Sequence, residues 1–332
     1  MRPGAALRWL RFTRLGLIVL LGGPILLSGL VPRGGAAPAA GIVSGDSTRV
    51  ATPPLDLRVM TFNIRYGTAA DGENRWDHRK DLLLATITAF DPDLLGTQEC
   101  LQLQAEFLET RLPGYGFVGV GRDDGALQGE MCAIFYRKSR FEKLDQGHFW
   151  LSETPEVPGS KSWDAALTRI ASWVKLRVRG ERPLTLLFFD THFDHMGAEA
   201  RTRSAELLQK KIGELCQGSP AIVAGDFNAP ADPAGSGPYR VLMTPVEGRP
   251  VLIDVYRALH PPAGDQGTYH AFTGRGEERR IDWILATSSW RPVNAEIVSS
   301  QRDGRYPSDH FPVTAVLRVD TAHAFGGSGS DR

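Results

Sequence analysis

The sequence predicts an α/β fold in which two packed β-sheets are flanked by helices within one domain. Strand-like apolar runs recur along the chain in mixed order, with helical stretches between only some of them. Several of these runs are apolar on both alternating faces, the pattern of central strands covered from both sides. No low-complexity break or internal repeat interrupts residues 56–319.

Taken in order, residues 1–39 hold Arg2, Arg8, Arg11, Arg14 and Arg33 and no acidic residue, with an uncharged apolar run from Leu15 to Val31. Ala37-Pro38-Ala39 closes the segment with an A-x-A exit. A basic start, an apolar centre and a small-residue exit read as a secretory signal peptide. The alternative is an uncleaved anchor, although Gly22, Gly23 and Pro24 weaken a spanning helix. Export to the periplasm or medium is therefore expected, with membrane association only if residues 15–31 stay attached. Residues 40–55 read as a linker, 56–319 as the single folded domain and 320–332 as a flexible tail.

Strands are expected over 57–64, 93–99, 115–121, 130–137, 169–178, 185–193, 221–228, 280–287, 295–300 and 312–319. Helices are expected over 76–90, where Leu83, Ile87 and Phe90 share a face, and over 102–112. A third is expected over 197–217, where Ala205, Leu208, Ile212 and Leu215 form one stripe. The 36 glycines and 22 prolines fit short elements joined by turns. Cys100, Cys132 and Cys216 lack metal-ligand spacing, and the expectation is buried structural cysteine.

The 38 basic and 38 acidic residues balance, which excludes a protein carried to nucleic acid by bulk positive charge. All charges of the leader are positive, so the remainder is mildly acidic. Any anionic partner must then be captured locally rather than by a bulk field, which shifts weight away from long duplexes. The pair Arg279-Arg280 reads as a solvated loop.

Acidic, amide and imidazole side chains stand at the ends of apolar runs, where burial is costly: Asn63, Glu99, His192 with Asp194, Asp226 with Asn228, Asp282, and Asp309-His310. Any one of them has a structural explanation, such as a turn cap or a satisfied core histidine. Strand ends on one edge converge in space, so the repeated habit points to a site. Asn63, Glu99 and Asp309 are hard oxygen donors that suit Mg²⁺ or Mn²⁺ better than zinc. Histidines beside carboxylates add acid–base groups, completing equipment for metal-assisted phosphoryl chemistry. A P-loop, a G-x-S-x-G elbow and an H-E-x-x-H motif are all absent from the sequence.

The ordered set MTFNIRYG, GTQE, DTHFDH, GDFN, RIDWIL and SDHFPV resembles the endonuclease/exonuclease/phosphatase (DNase I-like) superfamily over about residues 56–319. The resemblance implies a four-layered α/β sandwich. It implies that Glu99 ligates a divalent metal with Asn63 and Asp309 at or beside it. Asp226 would orient or deprotonate the attacking water, and Asn228 would hold the phosphate. His310 would face the phosphate while paired with Asp282, and His192 would be a second phosphate-facing histidine where abasic-site enzymes use Tyr. WDHRKDLL, SWDAALTRIASWV and THFDHMGAEAR resemble exported bacterial members of undefined substrate. Among them Arg169 is a candidate phosphate clamp, or else a structural salt-bridge partner of Asp164 or another acid, and His195 a candidate substrate contact. Arg201 is expected on a solvated helix face and Trp76 in packing, with Tyr269 and His270 left open between packing and stacking.

The function so implied is an exported phosphodiesterase acting on a nucleotide, nucleic acid or other phosphodiester by metal-assisted water attack. The alternatives are a phosphatase or phospholipase C-like enzyme on inositol phosphates or phospholipids, and an inactive binding protein of the same fold. No stable protein partner is implied.

Overall fold

The computed structural model describes residues 55–319 apart from 181–182, 233, 261–266 and 278. The expected leader, the linker up to its last residue and the tail lie outside the described residues.

The first sheet contains β1 (Leu55–Asn63), β2 (Leu94–Cys100), β3 (Tyr115–Val118), β4 (Met131–Arg137), β11 (Arg291–Ile297) and β12 (Val313–Val319). Its order is β11-β12-β1-β2-β4-β3, with only β1 and β2 parallel. The second contains β5 (Phe141–Trp150), β6 (Ile170–Val178), β7 (Thr185–His192), β8 (Ala221–Asp226), β9 (Leu252–Asp254) and β10 (Asp282–Thr287). Its order is β5-β6-β7-β8-β10-β9, with only β7 and β8 parallel.

Side-chain alternation stacks these sheets face to face. Leu57 and Val59 of β1 meet Leu186 and Phe188 of β7, and Ile222 and Ala224 of β8, in the central core. The opposite face of the first sheet (Met60, Phe62, Leu95) packs on α1 (Trp76–Phe90) and α2 (Gln102–Arg111) through Leu83, Ile87 and Leu108. The opposite face of the second (Leu187, Phe189, Val223) packs on α3 (Ala198–Cys216) and α4 (Gly237–Met243) through Leu208, Ile212 and Leu242. The result is the expected four-layered sandwich. A short α5 (Val255–Leu259) follows β9.

The three expected helices form within one residue of their anticipated bounds. The last edge strand runs from Arg291 to Ile297 rather than over 295–300. Strands β5 and β9 were not anticipated. Half of β5 is exposed at a sheet edge and a bulge separates Lys143 from Asp145, so it lacks a regular apolar face. The three cysteines are buried, as expected, and none of them forms a disulfide. Trp76 packs edge-on against Phe107, settling it as a core residue.

Polar groups cross the central layer just beneath one sheet edge. Gln98 Nε2 donates to Asp190 Oδ1 at 2.6 Å and to Thr61 Oγ1 at 3.0 Å. A Cβ on Gly96 would lie 2.4 Å from Asp190 Oδ1, so glycine is required for this carboxyl to enter the core. Complete burial pushes the Asp190 pKa well above the ordinary carboxylate range.

Candidate active site

Strand direction gathers the predicted residues. Asn63 and Glu99 lie at the C-terminal ends of the parallel pair β1 and β2, and Asp309-His310 precede β12, which runs antiparallel to β1. His192 and Asp226 end the parallel pair β7 and β8, where they are register partners. Asp282 opens the antiparallel β10 directly opposite Asp226. All of these positions fall on one edge of the sandwich.

On the first-sheet side, Glu99 adopts the left-handed backbone region with φ +59°, next to a bulge between Thr97 and Cys100. A glutamate in this conformation is strained, and a bulge re-aims side chains; both are common at functional sites. Glu99 Oε2 accepts from the Tyr66 amide at 3.1 Å, and Oε1 accepts from Asn63 Nδ2 at 3.1 Å. Asn63 Nδ2 also donates to Asp226 Oδ2 at 3.0 Å, so this amide joins the two halves of the site. Asp309 Oδ2 stands 3.7 Å from Arg65 Nε, and Ser308 Oγ donates to the Asn63 carbonyl at 2.7 Å. Burial raises the Asp309 pKa, with the His310 charge opposing and the Glu99 charge adding to the rise.

The loops carrying these groups are clamped from below by Arg79, which is buried. Its guanidinium donates to the carbonyls of Ile64 (2.6 Å), Arg65 (2.7 Å), Asn74 (3.0 Å) and Pro307 (3.0 Å). Gln104 adds bonds to the Gly67 amide (2.7 Å) and the Arg65 carbonyl (2.9 Å).

On the second-sheet side the groups hold one another. His310 Nδ1 is 2.9 Å from Asp282 Oδ2, and its Nε2 is 3.8 Å from Asp226 Oδ2. Burial opposes the imidazolium, but Asp282, then Asp226 and Asp309, outweigh it and lift the His310 pKa to about 10. Burial, reinforced by Asp282, pushes Asp226 up to about 7, with His310 pulling the other way. His192 Nε2 lies 3.4 Å from Asp226 Oδ2 and 3.0 Å from Asn228 Nδ2. Burial, and then the charges of Arg169 and Arg122, hold this imidazole neutral. Asn228, in the left-handed region that Asn tolerates, also donates to the Phe193 carbonyl at 3.0 Å. The Tyr269 ring stands edge-on to His310 with centroids 5.1 Å apart, which places it at the site; His270 instead stacks on Phe311 in packing.

Arg169 and His195 belong to a neighbouring cluster. Arg169 Nη2 is 3.1 Å from His195 Nδ1, and Arg169 Nε is 3.6 Å from Asp194 Oδ1. The acid beside Arg169 is thus Asp194 rather than Asp164, within the expected alternative of a salt bridge with Asp164 or another acid. Asp164 instead accepts from the Glu199 and Ala200 amides at the start of α3, where its negative charge complements the helix dipole. Asp194 accepts from the amides of Ala166, Leu167, Met196 and Gly197, and despite burial these hold its pKa near about 2.

Two further expectations are corrected. Arg201 is half-buried and donates to the Asp194 carbonyl at 2.9 Å instead of lying on a solvated face. Arg280 is buried and paired with Asp254, whereas Arg279 is exposed. The residues missed entirely are Arg122 and Glu130, which join Arg169 beside His192. No local motif marks them, because β4 and β6 bring them together only in the folded sheets.

Among the described residues Asp226, Asp282 and His310 form the one compact acidic–imidazole triad. Its His310 Nδ1 is engaged by Asp282, so the triad is better described as a proton-handling relay than as a cage. Glu99, partly open to solvent, and the buried Asp309 offer carboxylate oxygens, a chemistry suited to a hard divalent cation. The residues present fit such an ion.

A model of the Endonuclease/Exonuclease/phosphatase family matches residues 60–310. An endonuclease/exonuclease/phosphatase family protein from Bacteroides thetaiotaomicron is 36% identical, with a TM-score of 0.72 over 81% of this chain and 99% of that one. A mannosyl-6-phosphatase from the same organism is 38% identical, with a TM-score of 0.69 over 79% of this chain and 99% of that one. Nocturnin from Drosophila melanogaster is 24% identical over 82% of this chain, which spans only 48% of that protein. The chain therefore belongs to the endonuclease/exonuclease/phosphatase family, a family of divalent-metal-dependent hydrolases of phosphoric esters.

Proposed function

We propose that this chain is an exported hydrolase of phosphoric esters that works by direct attack of water with Mg²⁺ or Mn²⁺ bound. The observation that carries the reading is the buried Asp282–His310–Asp226 relay facing Asn63 and Glu99 across one sheet edge. Glu99 and Asp309 would hold the metal, with Asn63 beside them. The metal would supply Lewis-acid stabilisation of charge on the phosphoryl oxygens. Asp226 near neutrality divides between carboxylate and acid, which suits it to take a proton from the attacking water. The water oxygen bonds to phosphorus, the ester P–O bond breaks, and the departing alkoxide takes a proton from solvent while Asp226 releases the water proton it accepted. His310, held as an imidazolium by Asp282, offers Nε2–H to the negative charge that develops on phosphate. His192 and Asn228, in contact with each other at 3.0 Å, would flank the phosphate.

Export is supported by the basic, apolar and small-residue order of residues 1–39. The mild acidity of the remaining chain and the absence of a long basic run favour a small or single-stranded diester. A monoester is the second reading, favoured by the likeness to a mannosyl-6-phosphatase. Release of nucleotide, choline phosphate and inorganic phosphate from matched substrates with Mg²⁺ or Mn²⁺ tests the proposal. Turnover of one class that stops on chelation is expected, and no turnover of any would reject the hydrolase.

A further inference from the structure

Glu99 owes its direction to an unfavourable backbone conformation, which something beneath it must hold in place. At φ +59° it lies in the left-handed region, and with Gln98 it spans the bulge opposite a single residue of β4, between the register pairs of Thr97 and Cys100. Such a conformation persists only where its surroundings over-determine it. Gln98 supplies that restraint. It is fully buried, and its carbonyl accepts the Ile64 amide at 3.1 Å. Its side-chain amide donates to Thr61 Oγ1 of β1 at 3.0 Å and to Asp190 Oδ1 of β7 at 2.6 Å. Both amide hydrogens are therefore committed. Asp190 alone among these partners reaches Gln98 from the other sheet.

The proton relay makes no use of Asp190. Among the described residues Gln98 is the one side chain that bonds it, no cation pairs with it, and its Oδ2 has no hydrogen-bond partner. A fully buried carboxylate without a cation is costly, and burial duly favours the neutral acid. Asp190 thus contributes an acceptor of fixed position and not a charge. Gly96 of β2 leaves the space through which it reaches Gln98. Two residues further along β7 stands His192.

We infer that Asp190 is a positioning residue for the metal site: through Gln98 it holds Glu99 in its left-handed conformation and ties that carboxylate to the strand ending in His192. The inference rests on the reading of Glu99 as a metal ligand and adds what sets its direction. Without the Gln98–Asp190 bond the bulge can relax. Glu99 would then have to return to the strained conformation on ion binding, and affinity would weaken. Asparagine at position 190 keeps an acceptor in the same place and should preserve the arrangement.

The test measures Mg²⁺ and Mn²⁺ affinity by calorimetry for wild type, Asp190→Asn, Asp190→Leu, Gln98→Met and the Asp190→Leu/Gln98→Met double variant. Urea unfolding of the metal-free proteins runs in parallel. Asp190→Leu and Gln98→Met should each weaken metal binding about tenfold, while Asp190→Asn stays within about threefold of wild type. Both single variants break the same bond, so the double variant should lose little more affinity than either alone. If Asp190→Leu does not fold, Gln98→Met breaks the bond from the other side. Variants that unfold more easily yet bind metal normally would give Asp190 a structural role only and overturn the inference. A loss in Asp190→Asn as large as in Asp190→Leu would also overturn it, because the carboxyl would then act by its charge. Glu99→Gln separates the two readings. Normal metal binding there rejects Glu99 as a ligand and this inference with it. Weakened binding there, beside unaffected Asp190→Leu and Gln98→Met, rejects this inference alone.

Discussion

On the first-sheet side of the site, Glu99 and Asp309 are placed by backbone. A left-handed residue, a bulge and carbonyls clamped by Arg79 set their directions, and Glu99 stays partly open to solvent. On the second-sheet side, Asp226, Asp282 and His310 are each at most 5% exposed and are held by one another's charge. The difference teaches how one edge serves two tasks. An ion needs a rigid but accessible set of oxygens. Proton transfer needs desolvated groups whose pKa values are set against each other. Asn63 is the single amide bridging both, through its bonds to Glu99 and Asp226.

Breaking the second side should cost the most rate. Asp226→Asn keeps the shape but removes the proton acceptor, so kcat should fall about a hundredfold or more while metal binding is retained. A loss of only a few-fold would remove Asp226 from the reaction. Breaking the first side should act on the ion instead. Glu99→Gln is expected to weaken Mg²⁺ or Mn²⁺ binding about ten- to a hundredfold by calorimetry, with excess metal restoring part of the activity. Chelation should abolish wild-type turnover, and re-added metal should return it. Normal affinity in the glutamine variant would mean that Glu99 is not a ligand.

The same contrast explains what the sequence could show. Asn63, Glu99, His192, Asp226, Asp282 and Asp309-His310 were legible because each interrupts an apolar strand at its end, and strands of fixed direction bring such ends to one edge. The layers were legible for a related reason, since apolar residues on both faces of β7 and β8 demand cover on both sides. Strand β5 escaped because an edge strand leaves its outer groups in water. Arg122 and Arg169 resemble surface arginines in a linear reading. Their burial depends on β4 pairing in one sheet while β6 pairs in the other, and no local pattern records that pairing. Arg280 misled for the same reason, its partner Asp254 lying on the short β9.

The mutual support of the second side can be sharpened by pH without any substrate. His310 would be lowered by burial, but Asp282 first among its neighbours raises it to about 10 in the folded chain, against an unfolded value of 6.5. A raised pKa contributes stability that is fully present below the unfolded value and is lost as pH climbs through the folded one. Asp282→Asn removes the chief support for the imidazolium. The metal-free variant should therefore be less stable than wild type by about 2 kcal/mol near pH 6, the scale of one charged hydrogen bond. Urea unfolding at successive pH values should show this gap narrowing as pH approaches 10. A gap that stays constant or widens with pH would show that Asp282 supports the fold by packing alone. The relay would then have to hold His310 as a neutral ring, and Asp226 would lose the cation that now offsets its burial.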